Sequence, residues 1–319
     1  MKLPTLKLII QGSNKKVLSF LLSAILIGMV CSQIDLSSLL HTVKEVHFST
    51  VVYMLLIYFL GQLISAGKWK ILLDNAALDR SLLRTTKAYF FGMFVNAFGL
   101  GTVGGDIARA AVLKPLKSER STALASVVAD RLHGLIVLLA IGAVGLAFTI
   151  PEALNQWFVF GSIAAVVMLG TTWFMIPTLA SKLIPIGSKF YTPLASASKV
   201  FLSDPLTLFK VTIASILFHF TQIGMFALII ADMQLAISFG LLIATVPFIN
   251  VATSFPLSVN GIGIREVMIV IFFTQADVSG EQALTIGAMW LIITMLIGAL
   301  GAVFTAPSLF DQSASKQVT

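Results

Sequence analysis

Long apolar runs set the rhythm of this chain, and they come in two kinds. Runs 17–34, 48–67, 124–149, 157–176, 208–230 and 283–305 are uninterrupted. Each comes close to or exceeds the roughly 20 residues that carry a helix across a hydrocarbon core of about 30 Å. Two other stretches are apolar but broken. Stretch 88–103 runs into Gly99-Leu100-Gly101-Thr102-Val103-Gly104-Gly105, and stretch 238–256 contains Pro247 and Pro256 and runs into Val259-Asn260-Gly261-Ile262-Gly263. A short apolar piece, 267–273, follows the second break.

The charges between the runs set their direction. The N-terminal segment carries Lys2, Lys7, Lys15 and Lys16, and loop 68–87 carries Lys68, Lys70, Arg80, Arg84 and Lys87. Loop 104–122 carries Arg109, Lys114, Lys117 and Arg120, and loop 177–207 carries Lys182, Lys189 and Lys199. Loop 35–47 has only Lys44 and the tail Lys316, while loops 150–156, 231–237 and 274–282 have no Lys or Arg. Basic loops stay cytoplasmic. Both loops flanking 88–103 are basic, so that stretch is expected to enter the membrane and return. Both loops flanking 238–273 lack basic residues, so that region is expected to re-enter from the other face.

The expected fold is therefore an all-α integral membrane protein with six spans, two re-entrant helical hairpins and both termini cytoplasmic. Eight apolar segments that all cross remain the alternative. Residues 1–319 form one polytopic domain, with pseudo-repeats 17–149 and 157–305. Each half holds an odd number of crossings, so the second is inverted. Val103-Gly104-Gly105-Asp106-Ile107-Ala108-Arg109 aligns with Val259-Asn260-Gly261-Ile262-Gly263-Ile264-Arg265 across the two expected bends. Inverted repeats with broken helices meeting near the midplane are a recurring transporter plan.

Composition agrees. The chain is 57% hydrophobic and 11% charged, against about 45–50% and about 25% in soluble domains. The net charge of +7 fits basic loops beside anionic lipid rather than a nucleic-acid partner. One cysteine, Cys31, excludes an internal disulfide. The run 17–34 is too long for a signal-peptide core and no small-x-small site follows it, so it reads as a retained span. In the polar link 177–206, Phe190, Leu194, Ala197 and Phe201 recur at helical spacing, which suits an interfacial helix, interrupted by Pro193, as well as it suits a solvated loop.

Ionisable groups at membrane depth are costly and mark pathways or partners. They are Asp106, Arg109, Asp130, Arg131, His133, His219, Arg265 and Glu266. Glycines at a bend allow tight backbone approach, and a helix restarting after it offers unpaired N–H groups that attract anions. Arg109 and Arg265 are expected in the first turn after each bend, where a guanidinium fork suits phosphate. Asp106 also reads as a helix cap, Glu266 as the neutraliser of an arginine, Asp130 as a partner for His133 or Arg109, and His219 with Gln222 as a packing pair. The expected headgroup-binding set is Asp106, Arg109, Asp130, Arg131, Asn260, Arg265 and Glu266, with bends at Gly104, Gly105, Pro256, Gly261 and Gly263. P-loop, H-E-x-x-H and G-x-S-x-G motifs and cysteine clusters are absent from the sequence, so no cofactor, metal or soluble-enzyme chemistry is expected.

Gly104-Gly105-Asp106-Ile107-Ala108-Arg109, Asp130-Arg131-Leu132 and Pro256-Leu257-Ser258-Val259-Asn260-Gly261-Ile262-Gly263-Ile264-Arg265-Glu266, in that order, resemble the flippase-like membrane family. That family is also described as the transmembrane region of lysylphosphatidylglycerol synthase, and the likeness covers nearly the whole chain. Asn260-Gly261 departs from the family's usual Gly-Gly. The resemblance implies a multi-pass protein of the bacterial or archaeal cytoplasmic membrane that moves an anionic lipid across the bilayer: a phospholipid, its modified form or a polyprenyl-phosphate carrier. The chain looks like a stand-alone member without the aminoacyl-transfer domain, so no synthase activity is expected. An intramembrane lipid phosphatase or transferase, drafting Ser258, Asp106 or Glu266, and a non-transporting partner of a lipid-modifying enzyme are the alternatives.

Overall fold

The computed structural model describes residues 44–98, 101–113, 115–149, 156–183, 200–201, 204–254, 263–274 and 278–315. Among them are nine α-helices: α1 (Phe48–Asn75), α2 (Leu82–Phe98), α3 (Gly101–Val112), α4 (Arg120–Phe148), α5 (Gln156–Leu183), α6 (Pro205–Asp232), α7 (Phe239–Ser254), α8 (Ile264–Thr274) and α9 (Gly280–Ser315). Five of them, α1, α4, α5, α6 and α9, are long and apolar enough to cross a membrane. They coincide with five of the six expected spans. The sixth, 17–34, lies outside the described residues, as does most of the 177–206 link.

The broken stretches fold as helical hairpins. Helix α2 has 17 residues and α3 has 12, about 25 and 18 Å at 1.5 Å per residue. They pack on each other. Helices α7 and α8, of 16 and 11 residues, pair in the same way.

The first turn differs from the expectation. Helix α2 ends at Phe98 and α3 begins at Gly101, so Gly104 and Gly105 lie inside α3 rather than at a bend. A Cβ on Gly105 would strike the Gly92 carbonyl and the Asn96 side chain. The glycine is therefore needed for close helix approach, which is the usual role of small residues between membrane helices. In the second hairpin Gly263 stands at the last residue before α8 with φ 88°, a conformation suited to glycine. Pro256, Asn260 and Gly261 lie outside the described residues.

Packing pairs the two halves. Helices α1 and α6 lie against each other, α2 packs on α9 and α4 packs on α7. At these last two seams the same small motif recurs. Ile141-Gly142-Ala143-Val144-Gly145 puts Gly142 against Pro247 and Phe248 and Gly145 against Ala244. Ile297-Gly298-Ala299-Leu300-Gly301 puts Gly298 against Met93 and Ala97 and Gly301 against Phe90. Helix ends are tied as well. Asp204 caps α6 by accepting the Thr207 N–H at 2.8 Å. Helix α1 is capped from across the seam, where Asp232 accepts from the His47 N–H at 3.0 Å and the Thr50 hydroxyl at 2.7 Å.

Candidate functional site

Helix α1 carries a polar stripe through an otherwise apolar span. Tyr58, Gln62, Ser65 and Lys68 follow one another at intervals that place them on one helix face. That face is buried, while Leu56, Leu60 and Leu63 are exposed outward, where lipid would lie. The buried stripe meets a cavity of about 540 Å³ whose wall includes Tyr58, Ser65 and Lys68, Tyr89 of α2, Asp106 of α3, Asp130 and Arg131 of α4, His219 of α6, Asn250 of α7, Arg265 of α8 and Trp290 of α9.

One side of this cavity is built by a chain of five charges. Lys68 Nζ lies 2.7 Å from Asp130 Oδ1 and donates to the Asp130 carbonyl at 3.1 Å. Arg109 Nη1 donates to Asp130 Oδ2 at 2.9 Å, and its Nε lies 3.2 Å from Asp106 Oδ1. Arg131 closes the chain with two parallel bonds to Asp106, Nε to Oδ2 at 2.9 Å and Nη2 to Oδ1 at 3.0 Å. The Arg109 guanidinium also rests over the rings of Trp69 and Tyr89, at 4.7 and 5.2 Å from their centroids. Burying these cations is tolerable because each is matched by a carboxylate. With three cations and two anions, the chain keeps one net positive charge.

Arg265 is different. It lies in the first turn of α8, as expected, and is 7% exposed. Its Nε and Nη1 have no hydrogen-bond partner among the described residues. Its guanidinium carbon sits 5.5 Å from the Trp290 ring centroid. The neighbouring Glu266 does not reach it with an ion pair among the described residues. Instead Glu266 Oε2 accepts the Gly263 N–H at 2.6 Å and caps α8. Buried guanidinium nitrogens without acceptors are expensive, so Arg265 is the point of the cavity most in need of an anion.

The expected site residues are thus sorted. Asp106, Asp130, Arg131 and Arg265 line the one cavity. Arg109 does not stand in the first turn after a bend; it lies in the last turn of α3, where it is consumed by carboxylates and aromatic rings. The histidines tie helices together. His133 bonds Thr212 and Ser215, each at 3.2 Å, and His219 donates to the Gly134 carbonyl at 3.0 Å rather than pairing with Gln222. Among the described residues no three His, Cys, Asp or Glu side chains converge as a metal would require.

Two participants escape a charge count along the sequence. Lys68 reads as a loop charge there, yet α1 continues to Asn75 and buries it. Tyr89 reads as an apolar residue, yet its hydroxyl donates to Ser65 at 2.8 Å beside the ionic chain. The stripe of Gln62, Ser65 and Lys68 was the available signal for both.

Residues 16–301 match the family described as the lysylphosphatidylglycerol synthase TM region. No curated protein matches the chain.

Proposed function

The chain belongs to the lysylphosphatidylglycerol synthase TM-region family, and from that premise we propose that it is a flippase or transporter that moves a phosphate-bearing anionic lipid between the leaflets of the cytoplasmic membrane. The substrate is a phospholipid, a modified phospholipid or a polyprenyl-phosphate carrier. The observation that carries this reading is Arg265, a buried cation with two unpaired nitrogens on the wall of a polar cavity. A phosphate would supply the missing acceptor and accept the fork in bidentate fashion, while the acyl or prenyl chains remain among the exposed apolar residues.

The inverted repeat belongs to this reading. Phe48 and Pro205 open helices of 28 residues each, and the same interval separates Leu82 from Phe239. If α1–α4 are exchanged for α6–α9, the packing pairs among these eight helices have counterparts: α2 on α9 for α7 on α4, α1 on α2 for α6 on α7, α3 on α4 for α8 on α9. In this reading the two hairpins re-enter from opposite faces, the basic loops are cytoplasmic and the cavity lies near the midplane. A transporter suits the site better than a phosphatase or transferase. Asp106 and Asp130 are held by cations and His219 by a carbonyl, so these cavity-lining groups are engaged rather than poised as a general base. A lipid-modifying enzyme would then act as a separate partner.

Reconstitution tests the proposal. Liposomes containing the purified chain and a labelled anionic lipid should show protein-dependent exchange between leaflets without a new lipid product, and Arg265→Gln should abolish it. Unchanged flipping in Arg265→Gln, or conversion of the lipid to a new species, would overturn it.

A further inference from the structure

Arg131 is the cation of the ionic chain that reaches solvent-accessible space. Its side chain is 51% exposed, whereas those of Lys68, Arg109 and Asp130 are 3–6% exposed. Its fork is filled by the two oxygens of Asp106. Two parallel N–H···O bonds are also how a guanidinium holds two oxygens of a phosphate. Asp106 hangs from α3, the short arm of the first hairpin. If it turned away, Arg109 would give up its 3.2 Å contact with Asp106, but it and Lys68 would both keep Asp130. Asp130 is therefore the fixed anion of the chain and Asp106 the exchangeable one, since a partly exposed ion pair holds weakly.

We infer that Arg131 is a second phosphate station of the cavity, and that Asp106 is its built-in occupant, displaced when a lipid headgroup arrives. The inference rests on the transport reading and deepens it. The two stations are carried by different helices, Arg131 by α4 and Arg265 by α8. Arg265 lies over Trp290, which meets Tyr58 edge-on with centroids 6.3 Å apart, whereas the ionic chain begins at Lys68. Tyr58 and Lys68 are ten residues apart on α1, about 15 Å along its axis. Ser65 and Tyr89 line the wall between them. A second cation left permanently unpaired would trap a phosphate. A cation with a carboxylate ready to return releases it, because re-forming the Asp106 pair drives the headgroup off.

The test uses the full chain in nanodiscs of zwitterionic lipid with a fluorescent short-chain phosphatidylglycerol as probe. Arg265→Gln serves as the background, so that binding at Arg131 is read alone. Adding Asp106→Asn should tighten probe binding roughly twofold to fivefold, the scale of an exposed ion pair. Adding Arg131→Gln should remove that gain. Weaker or unchanged binding with Asp106→Asn, or a gain that survives Arg131→Gln, overturns the inference. Should Asp106→Asn fold poorly, Arg131→Gln in the same background decides: residual binding must fall, and unchanged binding refutes the station. Isotope-labelled inorganic phosphate in a parallel arm separates the sources. Phosphate should compete weakly with the lipid probe, and binding of free phosphate alone would refute a headgroup station. Arg265→Gln in the otherwise wild-type chain reports on the transport reading separately, because unaltered binding there defeats that reading whatever Asp106 does.

Discussion

Lys68 Nζ reaches both the side chain of Asp130, at 2.7 Å, and its backbone carbonyl, at 3.1 Å, so one ammonium clamps α4 to α1. Asp130 in turn takes Arg109 at 2.9 Å. Two buried cations thus depend on one carboxylate. Removing it strands Lys68 and leaves Arg109 only its Asp106 contact at 3.2 Å, and breaking a buried pair from one side costs about 3–5 kcal/mol. Asp130→Ala should therefore lower thermal stability in detergent sharply. Asp106→Ala, which unpairs the more exposed Arg131 and leaves Arg109 its Asp130 partner, should cost less. Equal losses in the two variants would contradict the division of labour between the carboxylates.

Arg265 and Arg109 should separate in the opposite way. Loss of a charge-assisted hydrogen bond costs about 1.5–3 kcal/mol, so Arg265→Gln should weaken anionic-lipid binding by roughly 10- to 150-fold with the folded yield preserved. Arg265→Lys keeps the charge without the fork and should be intermediate. Arg109→Gln should instead lower the folded yield, because it leaves Asp130 short of a partner and uncovers Trp69. Binding isotherms alongside size-exclusion profiles distinguish the two.

Close helix seams give a third expectation. A valine at Gly105, Gly145 or Gly301 meets backbone or side-chain atoms of the facing helix, and overpacking of this kind costs about 1–3 kcal/mol. A Cβ at Gly170 or Gly161 meets nothing within 4 Å, so a valine there should be tolerated. Melting temperatures of the five variants check this, and uniform tolerance would mean that the seams are looser than described.

Sidedness is the fourth. On a Cys31→Ser background, cysteines at Asp79 and Ser118, which flank the first hairpin, should both label from the cytoplasmic face. Cysteines at Gln234 and Ser279, which flank the second, should both label from the opposite face. Labelling of either pair from two sides would show that its hairpin crosses.

The spans were legible because a hydrocarbon layer demands long apolar runs and little else: α4, α5, α6 and α9 lie over runs seen in the sequence. The two pairs of short helices were legible from the interruptions in their apolar stretches. What failed is instructive. Gly104 and Gly105 suggested a bend because glycine tolerates one, yet a glycine in a membrane helix serves as often for close packing, and only the facing Gly92 and Asn96 decide between the roles. Arg109 and Arg265 align in sequence, but Arg109 gained Asp130 from a distant helix while Arg265 met Trp290, a difference no local pattern carries. Lys68 was hidden by counting it as a loop charge. The twin motifs Ile141–Gly145 and Ile297–Gly301, which a charge count passes over, mark two seams of the fold.

The four hairpin helices have 17, 12, 16 and 11 residues, none long enough to match a hydrocarbon layer of about 30 Å. A bilayer meeting these short arms has to dimple or admit water beside them, at a fraction of a kcal/mol for each ångström of mismatch. If the hairpins re-enter as proposed, lipids bordering them sit in a thinner, wetter annulus than lipids elsewhere. Membrane thickness itself then becomes a control on the protein: longer or more saturated chains raise the cost of the dimple, and a thin, fluid bilayer relieves it.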